Sequence, residues 1–153
     1  MYTIYSDGSS SWKTKEGGWA FILFEDEKFI TSVSDYEEET TNNREELRSV
    51  IEGLLRTPKE SFIYVYSDSK YVVNAFNNDW VIGWIKNEWL SYRSGEPIKN
   101  QDLWMKIYKL TEERVVTYKW VKAHSTNKFN NLCDERARFS RINKIRKTYN
   151  NVQ

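Results

Sequence analysis

Two short stretches decide the fold: Tyr2-Thr-Ile-Tyr-Ser-Asp-Gly8 and Phe62-Ile-Tyr-Val-Tyr-Ser-Asp68. Each is an aromatic-rich apolar run that closes on Tyr-Ser-Asp, the pattern of a strand that stops at a turn. Laid parallel and adjacent, the two strands bring Asp7 and Asp68 to the carboxyl edge of one sheet, where open α/β sheets bind ligands. Taken singly, each acid has a plainer reading, Asp7-Gly8 as a turn and Asp68 as a helix cap.

Outward from these strands, Gly18-Trp-Ala-Phe-Ile-Leu-Phe24 is a second strand, joined through Glu25-Asp-Glu-Lys28 to a third at Phe29–Val33. Thr40-Thr-Asn-Asn43 offers N-caps for a helix whose Leu47, Val50, Ile51, Leu54 and Leu55 form one stripe. A helix follows from Ser69, then an aromatic-rich stretch from Asn78 to Asn100 and a helix from Asp102 to Glu113. Val115–Val121 is a strand, His124–Asn131 a polar loop, and Leu132 to about Lys147 a last helix. This order predicts an α/β (mixed α+β) fold: a five-stranded mixed sheet with helices on both faces, the parallel strands reached by helical crossovers. Residues 1–153 read as a single domain with a basic tail at about 141–153.

Composition narrows the function classes. With 39% hydrophobic and 29% charged residues the chain is neither disordered nor fibrous. No apolar run approaches the ~20 residues of a membrane span and no signal segment opens the chain, so a cytoplasmic protein is expected. A lone Cys133 and a lone His124 close the usual zinc routes. Charge is uneven: residues 1–77 carry eight basic and fourteen acidic side chains, residues 78–153 fifteen and eight. Arg136, Arg138, Arg141, Lys144, Arg146 and Lys147 are followed by no acid, which suggests a polyanion on one face and a cation held on the other.

Two more acids draw notice. Glu46 lies at the edge of its helix's apolar stripe, whereas Glu45 groups with Arg48, Ser49 and Glu52 on the polar face. Asp134 sits beside Leu132 and Cys133 early in the last helix. An acid leaning toward a core loses hydration unless a cation compensates it.

Asp7-Gly-Ser9, Thr41-Asn-Asn-Arg-Glu-Glu-Leu47, Ser67-Asp-Ser-Lys-Tyr-Val72 and Cys133-Asp-Glu-Arg-Ala137 resemble, in order and spacing, the carboxylate motifs of type 1 ribonuclease H. Trp80-Val-Ile-Gly-Trp84 through Trp89, Pro97-Ile-Lys-Asn100 and Asp102-Leu-Trp104 are similar to that family's handle region, about 80–100, and Trp120-Val-Lys-Ala-His124 to its catalytic-loop segment. The resemblance covers about residues 2–140. It implies a ribonuclease H-like fold and an endonuclease that hydrolyses the RNA strand of RNA–DNA hybrids, leaving 5′-phosphate and 3′-hydroxyl ends. It implies that Asp7, Glu46, Asp68 and Asp134 hold two Mg²⁺ ions, with Mn²⁺ a substitute, Asp7 bridging and Asp134 on the water side. Oxygen-only ligands suit those hard cations.

The same resemblance assigns His124 to proton handling or product release. Asn42 and Asn43 would read 2′-hydroxyls across the minor groove. Thr41, Arg44 and Asn100 would bind a DNA phosphate, and Trp80 would pack on DNA sugars. Trp84, Trp89 and Trp104 would hold the handle together.

Three features depart from the family pattern. Ser10-Ser-Trp-Lys-Thr-Lys-Glu-Gly17 replaces a glycine-rich loop, so Lys13 or Lys15 would touch phosphate there. Lys70 stands where Gln is common, and the handle is poor in lysine. A monomer without a separate hybrid-binding domain is expected. Rival readings are a DNA-cutting resolvase or transposase core, a hybrid-binding module and a metal-free scaffold. Asn42-Asn43 with the tryptophan handle oppose the first. Four acids facing phosphate oppose the second, and the motif order opposes the third.

Overall fold

The computed structural model describes all of residues 1–153. In chain order the strands are β1 (Tyr2–Ser10), β2 (Gly17–Glu25), β3 (Lys28–Glu37), β4 (Phe62–Ser67), β5 (Val115–Trp120) and β6 (Lys147–Tyr149). The helices are α1 (Asn42–Leu54), α2 (Lys70–Asn77), α3 (Trp80–Lys86), α4 (Gln101–Glu112) and α5 (Lys128–Asn143). They build one mixed sheet in the order β5-β4-β1-β2-β3-β6. β1 pairs parallel with β4, Tyr5 opposite Tyr66, and β4 pairs parallel with β5. The expected adjacency of the two Tyr-Ser-Asp strands is therefore present, in register.

β2 explains the two-layered burial. Its alternate residues Trp19, Phe21 and Leu23 join the larger core with Leu47, Val50 and Leu54 of α1 and Leu103, Trp104 and Ile107 of α4. Ala20, Ile22 and Phe24 face the other way, onto Cys133 and Ala137 of α5. A strand covered on both faces reads as one continuous apolar run, as this one does. Gly18 admits α5: a Cβ there would collide with the Ala137 carbonyl. No helix is long and apolar enough to cross a membrane.

The structure corrects four local expectations. β1 does not stop at Asp7, because its antiparallel pairing with β2 carries it through Asp7 opposite Ala20 to Ser10 opposite Gly17. α5 starts four residues early, at Lys128, since the Asn127 side chain caps it by accepting from the Asn130 N–H at 2.9 Å. It ends at Asn143, with Lys144 in the left-handed region at φ 55°. The sheet has a sixth strand, since the chain beyond that cap turns back to pair Lys147–Tyr149 with Ser32–Ser34 of β3. Finally, Glu45 lies on no polar face. It is fully buried under the start of β2, against Gly17 and Thr40, and neither of its carboxyl oxygens has a hydrogen-bond partner. Burial, then the neighbouring Glu37 carboxylate, pushes its carboxyl up to about 8.

Candidate metal centre and nucleic-acid interface

Asp7 and Asp68 reach the carboxyl edge of the parallel pair as the register requires, and α1 supplies the third acid. The Gly8 N–H donates both to Asp7 Oδ1 at 2.9 Å and to Glu46 Oε1 at 2.6 Å, drawing the helix-borne carboxylate onto the strand. Only glycine permits that approach, because a Cβ at position 8 would meet the α1 backbone at Glu45 and Glu46. Carboxylate oxygens of Asp7, Glu46 and Asp68 all lie within 4.8 Å of one another. The plainer readings of the two aspartates fail. Asp7 is inside a continuous strand, and α2 is capped by Ser69, whose hydroxyl accepts from the Val72 N–H at 3.3 Å.

The electrostatics are those of a site awaiting positive charge. Burial first, then the charge of Glu46, raises the Asp7 carboxyl far above the ordinary range. Burial likewise raises Glu46, and it raises Asp68 with a further push from Asp134. Glu46 Oε2 is buried with no hydrogen-bond partner. Three crowded acids and an orphaned carboxyl oxygen, with no sulfur or imidazole among them, fit hard divalent cations.

Asp134 stands outside this trio. It projects from α5 at the rim, its Oδ2 3.7 Å from Arg138 Nη2 and 3.9 Å from His124 Nδ1. His124 is highly exposed, with a left-handed backbone at φ 52°, in the connection between β5 and α5. Asn130 is a residue the sequence reading missed. It is a buried amide on α5 whose Oδ1 has no partner, and its side chain offsets part of the rise at Asp68. A polar residue four positions before Asp134, one helical turn away, was the available signal.

The residues expected to face substrate lie on α1, α2, α3 and the start of α4. Thr41 caps α1, its hydroxyl accepting from the Arg44 N–H at 3.3 Å, and leaves Asn42 and Asn43 exposed in the first turn. Arg44 donates to Asn100 Oδ1 at 3.2 Å and forks onto Asp102 at 3.0 and 2.7 Å, which draws the Asp102 carboxyl down to about 2. Asn100 Nδ2 in turn donates to the Tyr71 hydroxyl, as does Trp104 Nε1. Lys70 sits 5.0 Å over the ring of Trp120, whose Nε1 donates to the Asp68 carbonyl at 3.0 Å. Trp80 is exposed at the start of α3, while Trp84 packs between Trp89 and Trp104 with ring centroids 6.5 and 5.0 Å away.

Trp12 was also missed. It is 83% exposed and lines a groove with Thr40, Thr41 and Asn42. Its loop is pinned rather than loose, by Ser11 N–H to Glu16 O at 2.9 Å and by Thr40 N–H to Lys15 O at 2.9 Å.

Two cations of the basic tail are paired within the protein. Lys144 pairs with Glu16 at 2.9 Å and Arg146 with Asp35 at 3.1 Å. Arg136 is buried, donating to Ser32 Oγ and the Asn151 carbonyl at 2.8 Å each and stacking 3.9 Å from the Tyr149 ring. Arg146 and Arg136 thus hold the C-terminus onto β3, and Lys144 ties it to the connection between β1 and β2.

A mixed sheet whose parallel pair delivers two aspartates to its edge, joined by a glutamate from the crossover helix, defines a class: α/β proteins with a cluster of carboxylates able to hold a cation at the sheet edge. The RNase H family model matches residues 1–141. Ribonuclease H of Caldanaerobacter subterraneus subsp. tengcongensis is 42% identical over 134 residues, covering 88% of this chain and 86% of the relative. Ribonuclease H of Chlorobaculum parvum is 42% identical over 139 residues, covering 90% and 93%. Among solved structures, LC9-RNase H1, a type 1 RNase H with the type 2 active-site motif, superposes with a TM-score of 0.81 at 24% identity, over 95% of this chain and 74% of that one. LC11-RNase H1, solved in complex with an RNA/DNA hybrid, superposes with a TM-score of 0.68 at 19% identity, over 94% and 98%. The chain belongs to the RNase H family, and is a ribonuclease H enzyme.

Proposed function

We propose that the chain cuts the RNA strand of RNA–DNA hybrids internally, with two divalent cations, Mg²⁺ or its substitute Mn²⁺, and leaves 5′-phosphate and 3′-hydroxyl ends. The observation that carries this reading is the trio Asp7, Glu46 and Asp68 gathered on the Gly8 N–H with one Glu46 oxygen unpartnered. Asp7, Glu46 and Asp68 would hold the ions together with Asp134. When bound, such cations supply Lewis acidity at the attacking water and at the leaving oxygen of an in-line displacement.

The chain's own residues do the rest. His124, exposed beside Asp134, takes or returns a proton at the rim and clears product. Asn42 and Asn43 present donors and acceptors to 2′-hydroxyls, which separates RNA from DNA. Thr41, Arg44 and Asn100 hold a DNA phosphate, Lys70 a second backbone contact, and Trp80 a sugar face. Trp12, absent from the sequence reading, adds an aromatic surface next to Asn42. The same reading takes the enzyme as a cytoplasmic monomer.

The test is a labelled hybrid set against duplex DNA and duplex RNA, with and without Mg²⁺, the product ends mapped by phosphatase and ligase sensitivity. Metal-dependent cutting confined to the RNA of the hybrid is expected. Cutting of duplex DNA, or cutting of hybrid in chelator, would overturn the reading.

A further inference from the structure

Within the trio Thr41, Arg44 and Asn100, Arg44 is the one cation, yet its charge is already taken. Nη1 and Nη2 donate to the two oxygens of Asp102 at 3.0 and 2.7 Å. That two-pronged edge is the one by which a guanidinium grips a phosphate. The other members of the set offer no substitute charge. Asn100 is held at both ends of its amide, by Arg44 and by the Tyr71 hydroxyl, and the Thr41 hydroxyl caps α1.

Two features show that Asp102 is separable from the framework it touches. Its side chain is 62% exposed, in the first turn of α4, where an acid is favoured by the helix dipole without any partner. Arg44, for its part, stays anchored without Asp102, through its backbone N–H on Thr41 and Nη1 on Asn100.

We propose that Asp102 is a resident stand-in for substrate phosphate, a carboxylate that a nucleic-acid phosphate must displace from Arg44. Binding at this point is then an exchange of one anion for another rather than the capture of an anion by a free cation. The exchange lowers affinity for every duplex and removes one counterion-release event from the salt dependence. The inference rests on the functional reading above for its ligand, a backbone phosphate.

The test is equilibrium binding by fluorescence anisotropy in chelator, so that no strand is cut, to hybrid, duplex DNA and duplex RNA of equal length across a salt series. Asp102→Asn is expected to bind about three- to tenfold tighter at low salt, the scale of one freed charge-assisted contact. Its slope of log affinity on log salt should steepen by about 0.7–0.9. The gain should vanish in an Arg44→Ala background, because no cation then waits to be freed. Asp102→Ser, which keeps a side-chain oxygen at the head of α4, gives the same comparison if the Asn variant folds poorly.

Equal or weaker binding with an unchanged slope would make Asp102 a positioning residue for Arg44 and overturn the proposal. So would a gain that persists without Arg44. A wild-type protein with no preference for hybrid counts against the functional reading instead, and the Asp102 effect is still scored on the duplexes.

Discussion

Neutralising Asp7 should stabilise the metal-free protein while destroying catalysis, and both effects follow from the same crowding. Asp7→Asn keeps the Oδ1 that accepts from the Gly8 N–H and adds an amide that can donate toward Glu46 or Asp68. The carboxyls of Asp7, Glu46 and Asp68 are all raised in the fold. An acid whose folded pKa exceeds its unfolded one makes the native state bind more protons. Its cost is therefore absent at acid pH, begins near the unfolded value of about 4, and grows until the folded value is passed. One proton retained from pH 5 to 7.5 costs about 1.4 kcal/mol per pH unit, or about 3 kcal/mol in all. Coulomb's law gives a similar scale, about 3 kcal/mol for one ionised pair at the 4.8 Å limit of the trio with an effective dielectric near 20. At about 2–4 °C per kcal/mol for a chain of this size, the Asn variant should melt about 6–12 °C above wild type at pH 7.5 in chelator. The gap should close toward pH 4–5. Saturating Mg²⁺ should raise the wild-type midpoint far more than the variant's, because ligand binding to the native state adds stability only where the site is intact. Thermal melts across pH, with and without Mg²⁺, make the comparison. A gap that does not change with pH, or equal Mg²⁺ shifts, would refute the account of the trio as a charge-starved metal site.

Asp68→Asn should abolish cleavage while hybrid binding survives, since the groove contacts are untouched; cutting at near wild-type rate would remove Asp68 from the metal set. His124→Ala should lower kcat by about 10²-fold or somewhat less, the lower end of general acid–base help, with KM little changed. A variant as dead as Asp7→Asn would make His124 a ligand or a structural pin, and an unaltered kcat a bystander. Removing residues 144–153 should leave the salt slope of binding unchanged, because Lys144 and Arg146 are ion-paired within the protein and Lys147 lies over the rings of Phe139 and Tyr149. It should cost about 2–4 kcal/mol in chemical denaturation, as β6 is lost and buried Arg136 is stripped of the Asn151 carbonyl. Trp12→Ala should weaken hybrid binding about fivefold or more, the scale of an aromatic contact to a strand. Unchanged binding would leave the exposed indole without a substrate role.

Much of this molecule was legible in its residues because the informative signals are local. Strand period, N-cap chemistry and the 3.6-residue stripe of α1 depend on neighbours a few positions away, and they placed β4, α1 and the start of β1 correctly. The repeated Tyr-Ser-Asp endings were enough to bring Asp7 and Asp68 to one edge, since parallel register puts equivalent positions side by side. Glu46 is legible from its place at the rim of an apolar stripe.

What only the tertiary structure decided are the choices that depend on what another part of the chain brings up. Glu45 and Glu46 are adjacent on one helix, and both are buried, each by a different strand: Glu46 by β1 at Gly8 and Glu45 by the start of β2 at Gly17. Helical period cannot tell a face that meets solvent from one that meets a second strand. The basic tail looked like a free polyanion site because its acids, Glu16 and Asp35, lie more than a hundred residues away along the chain. Arg44 looked like an available phosphate ligand for the same reason, its carboxylate partner arriving from α4. Sequence determines which charges and apolar side chains exist and which local geometry each prefers; the close approach of distant backbones determines which of those charges are already spent.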